Sequence, residues 1–256
     1  MRLIITKNYE DMSRKAANML AAQVLLKPNS ILGLATGSTP IQTYKNLISM
    51  YENGDVDFSK VTSFNLDEYV NLPKENENSY YYFMFNNLFN HINISKNNVH
   101  ILNGMAEDFE REANEYEKQI KCCGGIDLQV LGIGNNGHIG FNEPSKVFES
   151  DTHIVNLKEG TIKANARFFN SMDEVPKKAI SMGIKTIVQS KRVMLLANGE
   201  NKSEAIYKSI FEGVTPEVPA SILQLHSDAT FIVDEAAAKL IRKNHKIEDS
   251  CNLLIK

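Results

Sequence analysis

The chain has little of what would mark a secreted, membrane-bound or nucleic-acid-binding protein. Its 256 residues include three cysteines, the adjacent Cys122 and Cys123 and the distant Cys251. That spacing forms neither a disulfide framework nor a pair of metal-ligand clusters, so reduced thiols are expected. No run approaches the roughly 20 apolar residues that a membrane-crossing helix needs. The opening MRLIITKNYEDM carries acidic residues where a signal peptide requires an apolar core. Cytoplasmic localisation is therefore expected. No Lys/Arg cluster stands out, and the formal net charge of -3 gives no general attraction to nucleic acid. Any phosphate bound is expected on a small molecule. Internal repeats, low-complexity linkers, the Walker pattern and the dinucleotide fingerprint are also missing, which disfavours a nucleotide.

What is present is an ordinary globular composition, 43% hydrophobic and 23% charged, in a chain long enough for a large core. Short apolar segments alternate with amphipathic ones: SILGLAT then PIQTYKNLISMYENG, VTSFNL then SYYYFMFNNLFNH, IDLQVLGI, RVMLLANG then NKSEAIYKSIFEG, ATFIVD then EAAAKLIRK. This alternation predicts an α/β fold with a mainly parallel sheet. A helix over Asp11–Leu26 is expected ahead of the first of these strands. Lys146 to Val175 is less periodic and more polar, which fits a loop and a lid better than a second domain.

Three motifs sit where open α/β sheets keep their chemistry, just past the carboxyl ends of strands. In GIGNNGHIGFNEP, Gly132 to Pro144, glycines turn the chain sharply after an apolar strand and place His138 five residues before Glu143. An imidazole and a carboxylate so placed suit a proton relay, although a loop histidine also serves as a backbone cap. In ATGSTP, a strand runs into a helix that can begin near Thr39, with Pro40 in its first turn. Unpaired N–H groups there, with Thr36, Gly37, Ser38 and Thr39, outline an anion site, or a simple Ser/Thr cap. In FNLDEY, Asp67 is a candidate base, and a surface acidic pair with Glu68 is the plain alternative. Arg167 in ANARFF and Lys202 in NGENKSEAI are placed to supply positive charge to a phosphate, and an ordinary solvated cation is the plain alternative for each.

Together, ATGSTP, FNLDEYVNLP with ENSYYYFM, GIGNNGHIGFNEP, ANARFF and the closing LQLH resemble the glucosamine-6-phosphate deaminase family over nearly the whole chain. The resemblance implies a single Rossmann-like domain over residues 1–256, its sheet flanked by helices on both faces. It also implies conversion of D-glucosamine 6-phosphate and water to D-fructose 6-phosphate and ammonia without metal or redox cofactor. By that resemblance His138 opens the sugar ring, supported by Glu143 and Asn136, and Asp67 moves a proton between C2 and C1. Thr36, Gly37, Ser38, Thr39, Arg167 and Lys202 match positions that hold the substrate, chiefly its phosphate.

Two positions depart from the family's pattern. Asn136 stands where the best-known members carry an aspartate; its carbonyl oxygen can orient an imidazole but cannot stabilise an imidazolium by charge. After Pro144, His153, Val155 and Asn156 stand near positions that contribute arginine, lysine and threonine to a second anion site in allosterically activated members. Hyperbolic kinetics insensitive to N-acetylglucosamine 6-phosphate are expected. The alternatives are a 6-phosphogluconolactonase-like hydrolase, against which FNLDEY and GFNEP argue, and a non-catalytic sugar-phosphate sensor, which would bring a helix-turn-helix. A related isomerase that releases no ammonia would share the enolisation machinery. Assembly as a homo-oligomer is left open, as family members range from monomers to hexamers.

Overall fold

The structure is a computed structural model that describes residues 1–245 and 252–254, with the backbone alone at 164, 168 and 252–254. Cys251 lies outside the described residues, and Cys122 and Cys123 are free and exposed. The chain opens with β1 (Arg2–Thr6), an element the alternation did not anticipate, and α1 (Tyr9–Leu26). Asn8 caps α1 by accepting the Asp11 N–H, and the helix starts at Tyr9, two residues ahead of the expected Asp11. Met12, Ala16, Leu20 and Val24, spaced by four, form its buried stripe. Then come β2 (Ile31–Leu34), α2 (Ile41–Glu52), β3 (Thr62–Asn65), β4 (Asp67–Tyr69), α3 (Tyr80–Asn87), β5 (Val99–His100), α4 (Phe109–Cys122) and β6 (Leu128–Leu131). The second half contains β7 (His153–Asn156), α5 (Glu159–Asn165), β8 (Lys178–Ser181), α6 (Ile184–Val188), β9 (Val193–Ala197), α7 (Ser203–Phe211), β10 (Ala229–Asp234), α8 (Lys239–Asn244) and β11 (Asn252–Leu254).

The main sheet runs β11-β1-β10-β9-β6-β2-β3-β5, parallel throughout except for β11 at one edge. Every residue of β2, β6, β9 and β10 is buried. Side chains alternate between the faces of a strand, so burial of all of them requires cover on both faces. From β2 the chain steps outward to β3 and β5, then returns to the other side of β2 as β6 before reaching β9 and β10. The strand order therefore reverses between β2 and β6, and a crevice opens there at the carboxyl edge.

A second, smaller sheet, β4-β8-β7, is antiparallel. It is reached when the chain leaves the main sheet at Leu66, whose N–H donates to Leu34 O at 3.1 Å and whose carbonyl accepts the Met182 N–H at 2.8 Å. Tyr69, Phe141, Val155, Leu157 and Ala179 form a separate buried cluster over it. The stretch expected to be an irregular loop, Lys146 to Val175, thus contains a paired strand and a helix.

Candidate active site

Four strand ends supply the site. After β2, the loop from Thr36 to Thr39 bends through Gly37 at φ +94°, a conformation glycine adopts without strain. Tyr9 Oη donates to Ser38 O at 3.0 Å, Tyr44 Oη to Ala35 O at 2.5 Å, and Thr39 Oγ1 to Asn198 Oδ1 at 3.0 Å, so the loop is tied down from three directions. The helix behind it starts at Ile41, slightly later than expected. Pro40 occupies the cap position and offers no side-chain cap. Arg167 Nη2 reaches across to donate to Ser38 Oγ at 3.3 Å. Lys202 ends a turn that follows β9, and Asn201 beside it donates to Asn135 Oδ1 at 3.1 Å, joining that turn to the glycine-rich loop. Burial, and secondarily the nearby Arg167 charge, lower the Lys202 pKa to about 8. Lys202, partly dehydrated, stands beside the exposed Arg167, and an anion between them would be held by both charges.

Across the crevice, β4 carries Asp67 and Glu68, and both carboxylates are buried, so they are no surface pair. Glu68 is structural in its contacts: it accepts the N–H groups of Tyr69, Tyr80 and Tyr81 at 2.8–2.9 Å and so anchors the start of α3. Burial nonetheless raises its pKa. Asp67 is only 6% exposed, and among the described residues nothing hydrogen-bonds to its carboxylate. Burial, with the Glu68 charge second, raises its pKa to about 8. A carboxyl so poised exchanges a proton near neutral pH.

The loop after β6 brings the relay to the same place. The His138 ring packs on Gly134 so closely that a Cβ there would lie 2.3 Å from its Cε1, and the Gly134 N–H donates to His138 O at 2.9 Å. At Gly140 a Cβ would meet Ser181 Oγ at 3.0 Å and Asp67 Oδ2 at 3.7 Å, which sets the loop down on the small sheet beside Asp67. His138 Nδ1 faces Glu143 Oε2 at 3.5 Å and has no tighter hydrogen bond. Burial opposes ionisation of Glu143, but His138, Thr161 and Asn136 outweigh it and hold its pKa well below the usual carboxylate range.

Asn136 differs from expectation. Its Oδ1 accepts the His138 backbone N–H at 3.2 Å, and its Nδ2 donates to Glu143 Oε2 at 2.7 Å. It therefore steadies the carboxylate and the loop, and its carbonyl does not reach the imidazole. The structure thus brings Thr36, Gly37, Ser38, Thr39, Arg167 and Lys202 to one side of the crevice, and Asp67, Asn136, His138 and Glu143 to the other. Sequence reasoning missed Thr161, whose hydroxyl donates to Glu143 Oε1, and Tyr69, whose hydroxyl accepts from Asn165 Nδ2 at 2.8 Å. Thr161 lies in none of the three strand-end motifs, and only the fold brings it in; Tyr69 closes the FNLDEY motif, but nothing local in the sequence signals that its hydroxyl meets Asn165, 96 residues away. His153, Val155 and Asn156 line a cavity of about 240 Å³ behind Glu143, together with Glu149 and Lys158. Among the described residues no three His, Cys, Asp or Glu side chains are grouped as they would be around a metal ion. No helix there is long and apolar enough to cross a membrane.

Comparison with known proteins agrees with this geometry. The family model described as glucosamine-6-phosphate isomerases/6-phosphogluconolactonase matches residues 6–232. The glucosamine-6-phosphate deaminase of Clostridium botulinum (strain Langeland / NCTC 10281 / Type F) is 61% identical over 241 residues, covering 94% of this chain and 99% of the relative. That of Clostridium botulinum (strain Alaska E43 / Type E3) is 60% identical, covering 96% and 100%. A solved monomeric glucosamine-6-phosphate deaminase superposes with a TM-score of 0.92 at 45% identity, covering 94% of this chain and all of that one. The 6-phosphogluconolactonase of Trypanosoma brucei shares the fold, with a TM-score of 0.72 at 18% identity, covering 93% and 98%. On these matches, the chain belongs to the glucosamine-6-phosphate isomerase/6-phosphogluconolactonase family, among its glucosamine-6-phosphate deaminases.

Proposed function

We propose that this protein converts D-glucosamine 6-phosphate and water to D-fructose 6-phosphate and ammonia. One observation carries the reading: the buried carboxylate of Asp67 has no hydrogen-bond partner among the described residues, and the neighbouring strand-end loops bring together two cations, Lys202 and Arg167. Glucosamine 6-phosphate complements both, since it carries a phosphate dianion at one end and an ammonium on C2 at the other. A lactone lacks the second charge.

In this mechanism the hydroxyls and N–H groups of Thr36–Thr39 hold the phosphate with Lys202 and Arg167. Remote binding energy then orients C1 and C2. His138, steadied by Glu143, takes the proton from the C1 hydroxyl and returns one to the ring oxygen as the C1–O5 bond breaks. Asp67 removes the proton on C2 and delivers one to C1, while the C1 oxygen takes up a proton and the C2 ammonium gives one up, which leaves an iminium at C2. Water adds there and ammonia departs, giving the ketone. General acid–base steps of this kind contribute roughly 100- to 10,000-fold each.

We further propose that residues 1–256 form one sugar-phosphate isomerase/deaminase domain acting in the cytoplasm on a small molecule and not on nucleic acid. In this reading α5 and the turn after it cover the crevice as a lid. The cavity behind Glu143, with Val155 and Asn156 in its wall, does not bind a second sugar phosphate, so rates stay hyperbolic with or without N-acetylglucosamine 6-phosphate. The decisive test is release of ammonia and fructose 6-phosphate by the wild-type protein beside Asp67→Asn. Turnover lost in the variant supports deaminase chemistry with Asp67 as base. Absence of wild-type turnover, with glucosamine 6-phosphate still raising Tm, would replace it with a sensor.

A further inference from the structure

The segment after β7 makes contacts with three of the loops and strands that form the site. Lys158 Nζ donates to Pro144 O, Thr161 Oγ1 to Glu143 Oε1, Asn165 Nδ2 to Tyr69 Oη at 2.8 Å, and Arg167 Nη2 to Ser38 Oγ at 3.3 Å. The ten residues from Lys158 to Arg167 thus link Glu143 and Pro144 to Ser38, most of them in α5. Thr161 is buried, and among the described residues its hydroxyl bonds to Glu143. The terminal torsion of a glutamate is soft, so one donor on one oxygen leaves the carboxylate plane free to turn. Asn136 on Oε2 and Thr161 on Oε1 together fix it, with Oε2 aimed at His138 Nδ1. Asn136 belongs to the same loop as His138 and cannot report on anything outside it. Thr161 can, because it shares a short helical segment with Arg167.

We propose that Thr161 is a positioning residue that sets the Glu143–His138 relay and couples it to phosphate occupancy through Arg167. The inference rests on the deaminase reading for the relay's task, ring opening, but the coupling itself is a property of the geometry. A phosphate drawn to Ser38 and Arg167 holds the end of α5 down, and Thr161 then holds Glu143. The hydroxyl is the required group and the methyl is not.

The test compares Thr161→Val, which removes the hydroxyl at nearly constant shape, with Thr161→Ser, which keeps it. Loss of one charge-assisted hydrogen bond corresponds to roughly 10- to 100-fold. The expected result for Thr161→Val is a kcat lowered about 10-fold or more, with KM nearly unchanged, and Thr161→Ser should restore most of the rate. The second readout needs no turnover: the ring ¹⁵N resonances of His138, assigned by their loss in His138→Gln, with and without inorganic phosphate. Phosphate should shift them in wild type and Thr161→Ser but not in Thr161→Val. If Thr161→Val fails to fold, Thr161→Ala carries the same comparison. Unchanged kcat and resonances in Thr161→Val, or equal loss in Thr161→Ser, would overturn the proposal. If the wild-type protein releases no ammonia, the deaminase reading falls, and the phosphate-dependent resonances alone decide the coupling.

Discussion

Asp67 and Asp127 are both nearly withdrawn from solvent, 6% and 3% exposed, at opposite edges of the main sheet, and burial has opposite outcomes for them. Asp127, just before β6 at the amino edge, receives Lys191 Nζ at 2.8 Å, Lys27 Nζ at 2.6 Å and the Ile31 N–H at 2.8 Å. Burial works against its charge, but those three donors prevail and its pKa falls. Asp67 has no such donor among the described residues, and its pKa rises to about 8. Burial alone therefore predicts nothing about a carboxylate; its partners decide. The amino edge of this sheet is electrostatically settled, whereas at the carboxyl edge the Asp67 carboxylate has no hydrogen-bond partner among the described residues and Lys202 stands beside Arg167, so a ligand of the right charges would add favourable contacts there.

Exchanging the roles of these aspartates is the most severe way to break the comparison. Asp67→Asn should lower kcat/KM by about 1,000-fold or more, checked by coupled assay of ammonia release. Asp127→Asn should leave kcat/KM within about two-fold, because it lies across the sheet, yet cost about 1–3 kcal/mol of stability by urea unfolding. The figure is discounted because Lys27 and Lys191 remain partly in water. Their pH dependences have opposite signs. The folded pKa of Asp67 lies above its unfolded value, so its stabilisation is complete below about pH 4 and is lost as pH climbs toward 8. Asp67→Asn should therefore raise Tm at pH 8 by roughly 2 °C or more while changing it little at pH 4. The folded pKa of Asp127 lies below its unfolded value, so its contribution is present above about pH 4 and lost as pH falls through the folded value. An Asp67→Asn variant no more stable than wild type at pH 8 would refute the claim that this acid is held against its preference.

The cationic wall should yield a smaller effect. Lys202→Met is expected to lower kcat/KM for the sugar phosphate about 100-fold, mainly through KM, and to leave any slow turnover of unphosphorylated glucosamine unchanged. In wild type, affinity for inorganic phosphate should weaken above about pH 8, where Lys202 gives up its proton. Calorimetric titration across that range reads it directly, and the pH-dependent loss should vanish in Lys202→Met.

How much of this was legible in the sequence follows the same division. The buried strands β2 and β9 are continuous apolar runs and β6 and β10 are largely apolar, interrupted by Gln129 and by Thr230 and Asp234, and their parallel pairing follows from the helices between them. The small sheet was not visible: β4 is three residues, Asp-Glu-Tyr, whose place depends on β8 more than a hundred residues later, and no local propensity encodes such a pairing. β1 escaped notice because Arg2–Thr6 is short and lies before the first strong alternation. Site residues were legible by type and strand-end position, whereas their contacts were not. Arg167 meets Ser38 across 129 residues, and Thr161 reaches Glu143 from an element read as irregular.

Asn136 gives the finest test of what partners do to a carboxylate. Read from the sequence, it stands for an aspartate that would support the imidazole by charge. In the structure its amide nitrogen faces another acid, Glu143, at 2.7 Å. Asn136→Asp would replace a donor with a second negative oxygen at that distance, so either the new carboxyl takes up a proton or the loop rearranges. Both outcomes disturb the aim of Glu143 at His138. We expect kcat to fall about 10-fold near neutral pH and to recover partly as pH is lowered and the acid pair shares a proton. An unchanged or faster Asn136→Asp enzyme would mean that the aspartate's charge reaches the imidazole after all, and that the amide contact to Glu143 is incidental to the relay.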